Sequence, residues 1–133
     1  MREVITSSDA PSAIGPYSQA VRAGDWVFLS GQIPLNPKTG ELVTGTIEAA
    51  TVQVMENLKS VLNATGLTFD HVVKTTIYLI DLNDFAAVNS AYGKYFPENP
   101  PARATVQVAA LPRGVGVEID AVAYVKNSKY SGL

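Results

Sequence analysis

The chain has no cysteine and one histidine, His71. Disulfides, thiol nucleophiles and thiolate metal sites are therefore excluded, and a multi-histidine zinc centre within one chain is out of reach. Charge is also scarce: 17% of residues are charged, and ten Lys and Arg against twelve Asp and Glu leave a formal charge of -2. The basic residues are scattered, so the footprint of a nucleic-acid binder is missing and nucleic acid is not an expected partner. No apolar run reaches the length of a membrane span, and the opening MREVITSSDAPSA lacks the apolar stretch of a signal peptide. A cytoplasmic location without a membrane partner is the expectation. There is no internal repeat, low-complexity tract or linker.

What remains is 133 residues, 47% of them hydrophobic, which is enough for one core and too little for two. The expectation is a single domain over residues 1–133, with some apolar surface left for a partner to cover. Residues 17–23 and 26–30 read as strands joined at Gly24-Asp25, a hairpin if the turn is tight. Residues 34–40 are dense in turn formers and read as a surface loop.

From Thr46 the apolar period becomes helical, with Ile47, Val54, Met55, Leu58, Val61 and Leu62 on one face. Thr46 suits the N-cap, Glu48 the positive end of the helix, and Gly66 the stop. Residues 72–80 are rich in β-branched side chains and read as a buried strand. A second helix is expected after Asp81, with Leu82, Phe85, Val88, Tyr92 and Phe96 in helical spacing and Pro97 at its end. Two strands close the chain. The order predicts an α+β fold, a mixed β-sheet with two helices packed on one face. The other sheet face carries valines, alanines and an isolated arginine, and a symmetric oligomer would cover it.

The two closing strands hold the candidate chemistry. In the first, Ala102, Ala104, Val106 and Val108 share one side, and Arg103, Thr105 and Gln107 the other. In the second, Val115, Val117, Ile119, Ala121 and Ala123 share one side, and Glu118 and Asp120 the other. Arg103 offers a rigid fork for a carboxylate, and a nearby Glu118 or Asp120 can move a proton. The same pattern also fits cross-strand ion pairs on a solvated face of an antiparallel pair, each contributing up to about 1 kcal/mol.

Pro101-Ala102-Arg103 with Val106, followed by Gly114-Val115-Gly116-Val117-Glu118-Ile119-Asp120-Ala121-Val122-Ala123, resembles the C-terminal signature of the RidA/YjgF family, the reactive intermediate deaminases. Ala13-Ile14-Gly15-Pro16-Tyr17-Ser18-Gln19-Ala20 and Phe28-Leu29-Ser30-Gly31-Gln32-Ile33-Pro34 resemble its two early motifs. The three motifs occur in the family's order and cover most of the chain. The resemblance implies a homotrimer of chorismate-mutase-like subunits that binds small 2-imino and 2-keto acids in clefts between subunits, without metal or organic cofactor.

The resemblance also implies roles for individual residues. Arg103 would hold the substrate carboxylate, and Glu118 would place or activate water. Tyr17 would donate to the imine nitrogen or to water, while Ser30 and Gly31 would line the cleft. Asn89 is a weaker binding candidate. Thr105 stands where many relatives carry cysteine, which removes thiol chemistry and leaves a small polar side chain whose backbone can still bind. No role falls to His71, and Tyr92, Tyr95 and Phe96 read as packing.

The activity implied is hydrolysis of reactive imines and enamines, such as 2-aminoacrylate and 2-aminocrotonate, to 2-keto acids and ammonia. A carboxylate-binding or regulatory module would use the same arginine and the same cleft. Some relatives have been described as endoribonucleases or translation inhibitors, which the acidic balance and single histidine disfavour. Chorismate mutase chemistry would rest on architecture alone.

Overall fold

The structure is a computed structural model and describes residues 2–126. One six-stranded sheet runs through it: β1 (Arg2–Ile5), β2 (Ala20–Ala23), β3 (Trp26–Gln32), β4 (Val72–Leu79), β5 (Ala102–Gln107) and β6 (Val117–Tyr124), in spatial order β1-β2-β3-β6-β4-β5. Every pair is antiparallel except β4 and β5. Those two run parallel, and the chain between them passes through the second helix, as a parallel connection requires.

The β2–β3 hairpin turns at Gly24-Asp25, where Gly24 takes φ +62 and Ala23 faces Trp26. Glycine adopts that left-handed conformation without a Cβ clash. Helix α1 (Ile47–Ala64) starts where expected, with the Thr46 hydroxyl accepting from the Ala49 N–H at 3.1 Å. Its buried stripe of Val54, Met55, Leu58, Val61 and Leu62 packs on Val27, Leu29, Ile77, Leu79, Ile119, Ala121 and Ala123 of the sheet. Chain reversal follows at Gly66, with φ +78.

Four expectations need correction. No strand is expected over β1, because Arg2-Glu3-Val4-Ile5 is short and half charged, and a strand only shows there once β2 is present to pair with. The second helix, α2 (Phe85–Gly93), is shorter than its apolar spacing suggested. Asp81 caps a 3₁₀ turn over Leu82–Asp84, and Phe96 lies beyond the helix end. The strand β4 is not buried throughout: Thr75, Ile77 and Leu79 are buried, while Thr76 and Tyr78 on the other side are only partly so.

The largest correction concerns β5. It is the edge strand, and β4 separates it from β6, so Arg103 and Glu118 form no cross-strand pair. In parallel register Arg103 lies beside Thr75, Thr105 beside Ile77 and Gln107 beside Leu79, which places all three on the helix-covered side. Ala102, Ala104 and Val106 face the open side, the reverse of their expected orientation, so the arginine is not on the uncovered face. That open face carries the row Val4, Val21, Phe28 and Val122 across four strands, and Phe28 is 50% exposed.

Candidate active site

On the helix-covered side, the Arg103 guanidinium reaches from the edge strand to α2. One Nη donates to the Asn89 side-chain oxygen at 2.7 Å, and the group lies 5.4 Å from the Phe85 ring centre and 5.3 Å from that of Tyr92. Phe85, Asn89 and Tyr92 are spaced four and three residues apart, so one helix face presents all three. The Tyr92 phenol is in turn fixed by a 2.7 Å hydrogen bond with the Thr75 hydroxyl. Burial pushes that phenol above its ordinary range, so it stays neutral beside the cation.

These partners hold the arginine without neutralising it. Among the described residues the ion pair present is Lys126 with Asp25 at 3.5 Å, and no carboxylate lies within ion-pair reach of Arg103. A guanidinium has five donors, and the described residues engage one of them. The arrangement presents a preset cation to an incoming anion.

Thr105 follows Arg103 on the same side of β5. Its hydroxyl oxygen is buried and has no hydrogen-bond partner. The hydroxyl is thus enclosed and unengaged among the described residues.

Glu118 sits on the opposite face of the sheet, on central strand β6 beside β3 and β4. There β3 carries one extra residue: Leu29 faces Ala121 and Gln32 faces Ile119, which leaves Ser30 and Gly31 in a bulge. Gly31 is where the Glu118 carboxyl comes to rest. A methyl group at that position would stand 2.9 Å from Glu118 Cδ and overlap Oε2. The missing side chain is thus the seat of the carboxyl group. Burial, and next the charge of Asp120, push Glu118 above the usual carboxylate range.

The Ser30 hydroxyl donates to the Ser18 carbonyl at 2.6 Å, and the Ser30 N–H to the Gln19 carbonyl at 3.0 Å. Together they tie the irregular segment carrying Tyr17 to the bulge. Buried Gln19 secures the same segment, donating to the Pro11 and Ser7 carbonyls at 2.7 and 3.1 Å. Tyr17 is in this segment and not in a strand, and its ring is 53% exposed.

The predicted residues thus fall into two groups on two faces: Arg103, Asn89 and Thr105 on one, Glu118 with Gly31 in the Ser30 bulge on the other. Sequence reasoning assigned Phe85 no role beyond the helix stripe, and Tyr92 only packing. Their spacing with Asn89 was the available signal, and it lacked only the location of Arg103.

A family model described as Endoribonuclease L-PSP matches residues 7–125. The human protein named 2-iminobutanoate/2-iminopropanoate deaminase is 50% identical over 123 residues, 92% of this chain and 90% of its own. This chain belongs to the RidA/YjgF family. Protein DfrA of Myxococcus xanthus, 64% identical over 124 residues, shares 92% of this chain and 95% of its own. The crystal structure of E. coli TdcF with bound serine superposes with a TM-score of 0.88 at 42% identity, covering 92% of this chain and 98% of that one. Within the RidA/YjgF frame, the mixed sheet with two helices on one face is the family's fold, and none of the helices among the described residues is long and apolar enough to cross a membrane.

Proposed function

We propose that this chain hydrolyses small 2-imino acids and their enamine tautomers, among them 2-aminoacrylate and 2-aminocrotonate, to 2-keto acids and ammonia, in clefts between subunits of a homotrimer. The observation that carries this reading is Arg103, held by Asn89, Phe85 and Tyr92 with no carboxylate to neutralise it. The deaminase name of the human relative supports the reaction class.

Arg103 and Glu118 lie on opposite faces of one sheet, so one substrate meets both only where two chains come together. The exposed apolar row on the open face supports such packing. Arg103 of one chain then grips the carboxylate, and Glu118 of its neighbour stands over the imine carbon. Its carboxylate takes a proton from water as the water oxygen bonds to that carbon, and the C=N π pair moves to nitrogen, which takes up a proton relayed from solvent by Tyr17. Glu118 returns its proton to the amine, the C–N bond breaks with its pair on nitrogen, ammonia leaves, and the hydroxyl proton returns to solvent to yield the keto acid. Tyr17, on the segment that Ser30 ties to the bulge, is the proposed donor to the imine nitrogen or to water. Free imines already hydrolyse unaided, so positioning supplies much of the acceleration.

A second reading, a carboxylate-binding module without turnover, draws on the same cage, because nothing in it depends on Glu118. RNA cleavage, suggested by the family model's description, is disfavoured by the net charge of -2. The test is keto-acid and ammonia release from imine generated in place by a threonine/serine dehydratase. The native chain should accelerate release, and Arg103→Ala should lower kcat/KM by roughly 100-fold. A folded chain that binds 2-ketobutyrate without accelerating release would replace the deaminase with the module.

A further inference from the structure

Two carboxyl groups, Glu118 and Asp120, share the open side of β6, and their environments differ. Glu118 lies against the backbone at Gly31, and among the described residues no side chain donates to it. Asp120 accepts a hydrogen bond from the Tyr78 hydroxyl at 3.0 Å. Tyr78 is in β4, directly opposite Glu118 in register, so its phenol leans past one carboxyl group to reach the other.

We infer that Tyr78 is a positioning residue for the proton chemistry of this site: by donating to Asp120 it fixes that carboxylate beside Glu118 and leaves Glu118 as the group that gives and takes the proton. The inference rests on the deaminase reading for its functional consequence but not for its test. A donor on a carboxylate stabilises the ionised form, and two coupled carboxyl groups take up their first proton at whichever lacks that support. The perturbations agree: Glu118 is raised by burial and then by Asp120, while Tyr78 is raised by burial and then by its bond to Asp120, so it remains a donor. Of the elements around Glu118, β3 brings the uncharged Ser30 and Gly31. Strand β4 brings Tyr78 and, further along, Lys74 opposite Val122. Strand β6 itself brings Asp120 and Tyr124. Separated proton affinities within a carboxyl pair are what an acid/base role requires.

The experiment is a carboxyl-carbon NMR titration of the full chain in the oligomer it forms. In the native protein Glu118 should titrate above the usual carboxylate range. Tyr78→Phe should move the Glu118 midpoint to lower pH, since Asp120 is then no longer held beside it. Asp120→Asn should lower the Glu118 midpoint further, and adding Tyr78→Phe to it should change nothing, because Tyr78 acts only through Asp120. The acidic limb of the kcat profile should follow the same order. An equal effect of Tyr78→Phe with and without Asp120, or none in either background, overturns the inference. If Tyr78→Phe does not fold, an unmoved Glu118 midpoint in Asp120→Asn overturns it too. The titration needs no turnover, so an intact cycle in a chain that hydrolyses no imine would sink the deaminase reading alone.

Discussion

The two faces of this sheet are finished to different degrees. On the covered side a single chain completes the surroundings of its arginine: Asn89 accepts from it, two aromatic rings flank it, and Thr75 fixes one of them. On the open side Glu118 has a seat at Gly31 and a charged neighbour in Asp120, yet the sheet around it exposes Phe28, Trp26, Val4 and Val106. The contrast teaches where each half of the chemistry is decided. Under the proposed function, anion recognition is built within one chain, whereas the proton-handling side is left for contact with another.

The sharpest way to break that contrast is to separate the halves between chains. Arg103→Ala and Glu118→Gln should each be inactive alone. If sites are shared between neighbouring chains as proposed, oligomers reassembled from an equal mixture should recover about a quarter of native activity, because a quarter of the sites then combine an intact arginine with an intact glutamate. No recovery on dehydratase-coupled assay would mean that one chain supplies both.

A smaller intervention acts on the open side alone. Gly31→Ala must displace the Glu118 carboxyl, and should lower imine hydrolysis by on the order of 100-fold while leaving 2-ketobutyrate affinity within a few-fold of native. Calorimetric titration beside the kinetic assay separates the two effects, and an equal loss of both would deny that the faces divide the work.

The mildest test concerns the covered side. The partnerless Thr105 hydroxyl costs stability, so Thr105→Val should stabilise the chain by about 1 kcal/mol, seen as a higher thermal midpoint, with catalysis retained. A loss of ligand affinity would show instead that the hydroxyl serves the cleft.

Much of this fold was legible because its signals are local. The Thr46 cap, the Gly24 hairpin and the alternation of β6 each depend on neighbours in sequence, and each stands where expected. The orientation of β5 was not legible, since Ala102, Ala104 and Val106 look like a core face beside Arg103, Thr105 and Gln107. An edge strand can leave small apolar residues on an open face, and here α2 offers the arginine aromatic and amide partners that outweigh that pattern. Placement of β4 between β5 and β6 is a long-range choice that no local spacing records. For the same reason the site residues could be named from their motifs, while their division between two faces could not. The role of Gly31 was half visible: a glycine beside a predicted site implies close approach, but not that Glu118 is what approaches.

The arginine's cage has a further property in how it is assembled along the chain. Thr75, Phe85, Asn89, Tyr92 and Arg103 all come from one continuous β4–α2–β5 segment, whereas the Glu118 seat joins β6 to the distant β3. Closing a distant contact costs more chain entropy than closing a near one, and strands β1 to β3 sit at the far side of β6 from the cage. Under the proposed function, loss of β1 to β3 from β6 would free Glu118 while the segment that builds the cage stays joined, separating carboxylate binding from imine hydrolysis.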